Sequence, residues 1–171
     1  MKASAVTFER LWAGWRARYV SDEAGRTSGC FLCDAAALDA AEDKATLVLE
    51  RTATTVTVMN LYPYGSGHLL VAPRQHEGDL LALSDSEAAD VNAAIRRAVR
   101  AVRSGYDPDG LNVGFNLGRA AGAGVPDHLH AHVLPRWSGD TNFMTALGAT
   151  RVLPEPLETG WEKLREVWPV A

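Results

Sequence analysis

Three histidines stand on alternate residues in the run Asp127-His128-Leu129-His130-Ala131-His132-Val133-Leu134. Alternation with Leu129, Ala131 and Val133 is the period of a half-buried β-strand, so the imidazoles are predicted to share one face while the apolar residues enter a core. A neutral imidazole offers a nucleophilic lone pair, a hydrogen-bond donor and a metal-ligating nitrogen, and it titrates near ~6.5. The row therefore suits nucleophilic chemistry, hydrogen bonding to an anion, or a catalytic metal centre of the His-x-His kind. A solitary histidine is more often structural; three on one strand face turn that balance toward function.

A second group of reactive side chains is Cys30 and Cys33, in Gly29-Cys30-Phe31-Leu32-Cys33. In a reducing compartment a Cys-x-x-Cys pair reads as half of a zinc site or as a redox motif. A thioredoxin-like motif needs the head of a βαβ unit, and no such unit is apparent here. Zinc requires two further ligands. The two histidines outside the row are His68, in Ser66-Gly67-His68-Leu69, and His76, in Pro73-Arg74-Gln75-His76.

These residues need elements to hold them. Phe8, Leu11, Trp12, Trp15 and Tyr19 recur at helical spacing and predict a short N-terminal helix. Thr46 to Glu50 and Thr55 to Met59 are rich in β-branched residues and predict two strands with a tight turn near Arg51 and Thr52. A Pro- and Gly-punctuated loop, residues 60–67, leads into a third strand from His68 to Ala72, stopped by Pro73. The clearest helix begins at Ser84, which with Glu87 has capping-box spacing; Val91, Ile95, Ala98, Val99 and Val102 form its apolar stripe, and Gly105 is placed to end it. Arg96, Arg97, Arg100 and Arg103 lie on its other side and read as a solvated face. Leu111, Val113, Phe115 and Leu117 predict a fourth strand, and a small-residue loop from Gly118 to Pro126 delivers the chain into the histidine row. Trp161, Leu164 and Trp168 mark a final helix with a Thr159 and Glu162 capping pair, ended by Pro169. Antiparallel strands with one long helix over them and short terminal helices make an α+β fold.

At 171 residues and 47% hydrophobic content the chain fits one domain, residues 1–171. A net charge of -4 argues against a general nucleic-acid binder. No apolar run approaches the ~18 residues of a membrane span and the N-terminus has no signal-like apolar core, so the expectation is a cytoplasmic protein with neither nucleic acid nor membrane as partner. There is no Walker loop and no strand-led Gly-x-Gly-x-x-Gly, so any phosphates must be held in another way.

With Asn60-Leu61-Tyr62-Pro63-Tyr64 ahead of Gly67-His68, and Asn112-Val113-Gly114-Phe115-Asn116 ahead of the histidine row, the chain resembles the histidine triad (HIT) superfamily of nucleotidyl hydrolases and transferases. The resemblance covers roughly residues 29 to 144, flanked by an N-terminal helical arm, 1–28, and a C-terminal extension, 145–171. Leu11-Trp12-Ala13-Gly14-Trp15-Arg16 and Arg136-Trp137-Ser138-Gly139-Asp140-Thr141-Asn142-Phe143-Met144 look like the branch containing bacterial diadenosine tetraphosphate phosphorylases.

The resemblance implies that His130 attacks the α-phosphorus of a nucleotide or dinucleoside polyphosphate, while His132 and His68 flank the phosphate and hold the nucleophile. It assigns Asn60 to the ribose hydroxyls, Asn116 to the neighbourhood of the phosphates, and Val58 and Leu70 to the base, positions that read equally well as core. Gly122 and Gly124 belong to the loop whose amides would face an anion. Where many HIT hydrolases carry a glutamine, four residues before the first histidine, this chain has Gly124. That departure weakens simple hydrolysis and leaves room for inorganic phosphate as acceptor. By the same resemblance Cys30, Cys33, His76 and His128 would bind structural zinc, and the protein would be a homodimer or higher homo-oligomer. The alternatives are hydrolysis of nucleoside phosphoramidates, a nucleotide-sensing module with little turnover, and a metalloenzyme with zinc on the three-histidine face.

Overall fold

A computed structural model of the protein describes residues 29–140 and 155–169. Its frame is a five-stranded antiparallel sheet in the order β1-β2-β3-β5-β4. The strands are β1 Val48–Arg51, β2 Thr55–Met59, β3 Leu69–Pro73, β4 Gly110–Phe115 and β5 Ala131–Arg136. Among the described residues there are four α-helices: α1 Phe31–Ala37, α2 Asp43–Thr46, α3 Asp85–Tyr106 and α4 Leu157–Glu166. This is the α+β architecture expected from the pattern. The predicted N-terminal helix, the rest of the 1–28 arm, and the Thr141-Asn142-Phe143-Met144 stretch lie outside the described residues.

Alternation along the strands supplies two apolar faces. Leu49, Met59, Leu69, Val71, Ala131 and Val133 point toward α3, where Ala94, Ala98, Ala101 and Val102 meet them, joined by Leu164 from α4. Val48, Val56, Val58, Leu70 and Ala72 point the other way and are covered by Leu32, Ala35 and Ala36 of α1. Each such Leu or Val contributes about 1.5–3 kcal/mol on removal from water. A smaller cluster of Leu83, Val91 and Leu129 seats the approach to β5 under the start of α3. No helix among the described residues is long and apolar enough to cross a membrane.

Several local expectations shift. The α3 capping box is present, with the Ser84 side chain accepting from Glu87 N and Glu87 returning to the Ser84 amide. The helix runs past Gly105, however, and ends where Asp107 takes the left-handed conformation at φ 43. Arg97 is not merely solvated; it forms a two-pronged ion pair with Glu50, reached also by Trp168 Nε1. Thr46 belongs to α2, so β1 starts two residues later than predicted. Thr159 does not cap the last helix: Pro156 stands at the entry with φ -62, and Glu162 instead pairs with Lys44. The seven-residue α1 was not foreseen.

The largest shift concerns the histidine row. β5 begins only at Ala131, so His128 and His130 lie on the approach to the strand and His132 alone lies within it. Inside β5 the predicted alternation holds, with Ala131, Val133 and Pro135 buried and the intervening residues partly exposed.

Candidate functional site

The loop between β2 and β3 closes with Asn60 N–H donating to His68 O at 2.9 Å. Asn60 Oδ1 accepts from the Tyr62 amide at 3.0 Å, which turns its Nδ2 to His68 Nδ1 at 3.3 Å. The Tyr64 amide donates to that same nitrogen at 3.1 Å. A backbone N–H can only donate, so His68 Nδ1 is the acceptor and the proton sits on Nε2. His68 Nε2 then donates to His132 Nδ1 at 2.9 Å. By the same logic His132 carries its proton on Nε2, 3.3 Å from the Asn116 amide. The Asn116 atom at that distance is Nδ2, which also lies 3.5 Å from the Gly122 carbonyl. The Tyr64 ring packs over both imidazoles, 4.7 Å from His68 and 5.8 Å from His132 between centroids.

His130 is set by a separate bond. Its Nδ1 lies 2.8 Å from the His128 carbonyl oxygen. A carbonyl only accepts, so Nδ1 bears the proton and Nε2 the lone pair. The His130 and His132 rings meet edge to face with their centroids 5.1 Å apart.

His128, buried, turns away from its two neighbours. Its Nε2–H donates to the Pro73 carbonyl at 2.8 Å, which leaves the Nδ1 lone pair facing Cys30 Sγ at 3.1 Å and Cys33 Sγ at 3.5 Å. Cys33 Sγ is 3.3 Å from His76 Nδ1, and all four ligand atoms lie within 4.8 Å of one another. Tetrahedral bonds of about 2.0–2.3 Å would separate ligand atoms by about 3.3–3.8 Å, close to what is observed. A carbonyl behind a ligating imidazole is the usual orienting partner of a metal-bound histidine. The donor set therefore fits a metal ion. Burial first, and then the hydrogen bond and charge of Cys30, push the Cys33 thiol up to about 11, and burial is the main cause holding His128 below its ordinary value. The rings thus do not form an all-histidine metal centre.

Two strand residues and two glycines complete the set expected from sequence. Val58, Leu70 and His132 form one cross-strand row with Gly114. Val58 and Leu70 are only 2% and 3% exposed, however, packed beneath α1 as core. Gly122 has its carbonyl 3.5 Å from the Asn116 amide, while its own N–H donates to Arg119 within the turn at 2.9 Å. An anion-facing amide at Gly122 is therefore not what this turn presents. Gly124 lies further along the same loop, half-buried.

Sequence reasoning missed three contributors. Tyr64 was seen only as part of a loop motif, and its amide and ring both act. The Pro73 carbonyl orients His128, a backbone role that leaves no trace in side-chain pattern. Gly78 lets the His76 segment lie against the approach to the row: a Cβ there would collide with the Pro126 carbonyl, and Leu129 N–H donates to Glu77 O at 2.6 Å.

Comparison with known proteins adds independent findings. The model of the HIT domain family matches residues 40–139. The AP-4-A phosphorylase of Mycobacterium tuberculosis (strain ATCC 25618 / H37Rv) is 35% identical over 164 residues, covering 94% of this chain and 84% of that protein. Adenosine 5'-monophosphoramidase hnt1 of Schizosaccharomyces pombe is 28% identical over 116 residues, 68% of this chain and 84% of that one. Among solved structures, a zinc-bound histidine triad family protein from Mycobacterium smegmatis superposes with a TM-score of 0.60 at 25% identity, covering 88% of this chain and 91% of that one.

Proposed function

Since this chain belongs to the HIT family, we propose that it is a nucleotide-binding enzyme that cleaves dinucleoside polyphosphates of the diadenosine tetraphosphate type through a nucleotidyl-His130 intermediate. The observation that carries this reading is the 2.8 Å bond from His130 Nδ1 to the His128 carbonyl. It dedicates Nε2 to attack without a separate base. As Nε2 bonds to the α-phosphorus, the P–O bond to the leaving polyphosphate breaks and its electron pair departs with that oxygen. The ring gains positive character, and the Nδ1–H bond to the carbonyl becomes charge-assisted and stronger. An acceptor oxygen then attacks the phosphoramidate phosphorus, and His130 leaves with its lone pair restored.

His132 offers an Nε2 proton to the phosphate oxygens, and His68, fixed by Tyr64 and Asn60, keeps it on that nitrogen. Asn116 lies beside His132 and Asn60 beside His68, and by the family resemblance they suit contact with the phosphates and the ribose. Gly124 leaves the loop without a side chain where a second anion would approach, which favours inorganic phosphate over water as acceptor. Val58 and Leu70 could touch a base only at their margins. The Cys30, Cys33, His76 and His128 cluster would hold zinc, which would act as a structural cross-link. A homodimer formed along the β4 edge, in the cytoplasm, belongs to the same reading.

The relative that acts on adenosine 5'-monophosphoramidate supports a second substrate class, since a nucleotidyl-histidine can form from either leaving group. Incubation with diadenosine tetraphosphate, with and without phosphate, separates the cases by chromatography. ATP with ADP in proportion to phosphate is expected. ATP with AMP regardless of phosphate would mean hydrolysis. No cleavage, with turnover of adenosine phosphoramidate, would move the assignment to the second class, and tight binding without either would make the protein a sensor.

A further inference from the structure

Tyr106, the last residue of α3, reaches a constrained backbone position next to His68 from outside the site. Gly67 precedes His68 with φ +71, a left-handed conformation that side chains disfavour. The face where a Cβ would stand is occupied by the Tyr106 ring, whose nearest carbons would lie 2.7–3.1 Å from that atom. The ring thus sits flush against the peptide that turns the chain into β3, one residue from the imidazole that fixes His132.

The C-terminal segment in turn holds the ring. Tyr106 Oη donates to Glu155 Oε1, and Lys163 Nζ reaches Glu155 Oε2 at 2.8 Å while lying 4.5 Å over the Tyr106 ring. Gly160 closes the arrangement, since a Cβ on it would lie 2.8 Å from Tyr106 Oη and 2.9 Å from Met59 Cε. Burial and the Glu155 carboxylate both raise the Tyr106 hydroxyl above its ordinary value, so it stays a donor throughout the working pH range. Glu155, Gly160 and Lys163 all lie beyond residue 139, where the match to the family model stops.

We propose that Tyr106 is a positioning residue, held by Glu155 and Lys163 of the C-terminal segment, that clamps Gly67 and thereby maintains the His68–His132 hydrogen bond. The proposal deepens the catalytic reading above and rests on it for its kinetic consequence, although the clamp itself can be read without turnover. Its path has three short steps: the Glu155 carboxylate to the Tyr106 hydroxyl, the Tyr106 ring to the Gly67 peptide, and the Gly67 peptide to the His68 ring. An error in the last step is magnified at the phosphate, because His132 is oriented from the side of His68.

The test uses the full chain with 15N-labelled histidine. Wild-type protein should show His68 protonated on Nε2 and coupled to His132 Nδ1 across the hydrogen bond. Tyr106→Leu removes the clamp, and Glu155→Ala frees it while leaving every residue of the site in place. Both should lose that coupling, and both should lower kcat on diadenosine tetraphosphate by about tenfold with KM within about twofold. Tyr106→Phe, which keeps the ring, should fall between them and wild type. Val102→Ala, a core change on the same helix, is the control for stability alone and should keep coupling and kcat. Retained coupling in Glu155→Ala and Tyr106→Leu, or its equal loss in Val102→Ala, would overturn the proposal. If wild type cleaves no dinucleotide but the coupling responds as stated, the clamp stands and the substrate assignment falls.

Discussion

At His130 the choice of nitrogen is made by a carbonyl oxygen two residues back in the chain, and at His132 it is made by a backbone amide acting through His68. The consequence is a difference in kind between two neighbouring imidazoles. Replacing His130 by Ala removes the atom that would bond to phosphorus, and cleavage should fall by at least about a thousandfold, as when other covalent catalysts lose their nucleophile. His132→Ala removes a donor aimed at developing negative charge and should cost about a hundred- to a thousandfold in kcat with little change in KM. Steady-state rates on diadenosine tetraphosphate read both. A His130→Ala protein within tenfold of wild type would exclude the covalent route.

Among the elements, the decisive junction lies where α1, the end of β3 and the approach to β5 meet. Cys30 and Cys33 come from the start of α1, His76 from just beyond β3, and His128 from the loop before β5, so a bound ion would tie three separated stretches together. Metal analysis of purified protein should find close to one zinc per chain, and Cys30→Ser with Cys33→Ser should abolish it and lower the melting temperature. Gly78→Ala is the subtler probe. Its methyl would strike the Pro126 carbonyl and part the Glu77–Leu129 strap, drawing His76 away from Cys33 at a cost of about 1–3 kcal/mol. Metal-free protein that melts like the metal-loaded form would remove zinc from the account.

For the whole molecule, β4 is one of the two sheet edges, β1 being the other, whose outer side no described strand covers. Val113 within β4 is 47% exposed, and Leu117, two residues past the strand's end, is 49% exposed. A six-residue edge with apolar side chains invites pairing with another chain unless charge or a bulge blunts it. Sedimentation equilibrium should therefore report a dimer or larger assembly at micromolar concentration, and Val113→Lys should shift it toward monomer. A wild-type monomer would place the partner surface elsewhere.

How much of this was legible in the chain follows from the range of the forces concerned. Hydrophobic period is local, so the strands, α3 with its capping box, and the alternation of Ala131 and Val133 could all be read from sequence. Residue chemistry is carried by identity, so the cysteine pair and the histidine row announced their ligating and nucleophilic capacity, and family resemblance supplied their pairing. Seven residues of α1 are too few to establish a helical period, and Pro156 overrode the Thr159 cap because a fixed φ at the entry sets the first turn. Only the tertiary structure could decide which way each histidine faces. That choice rests on backbone groups brought close by folding: the Pro73 carbonyl for His128, the Tyr64 amide for His68, and through His68 the proton on His132. Sequence determined which side chains could do the chemistry; tertiary structure decided which nitrogen of each would do it, because a hydrogen bond depends on placement in space and not on spacing along the chain.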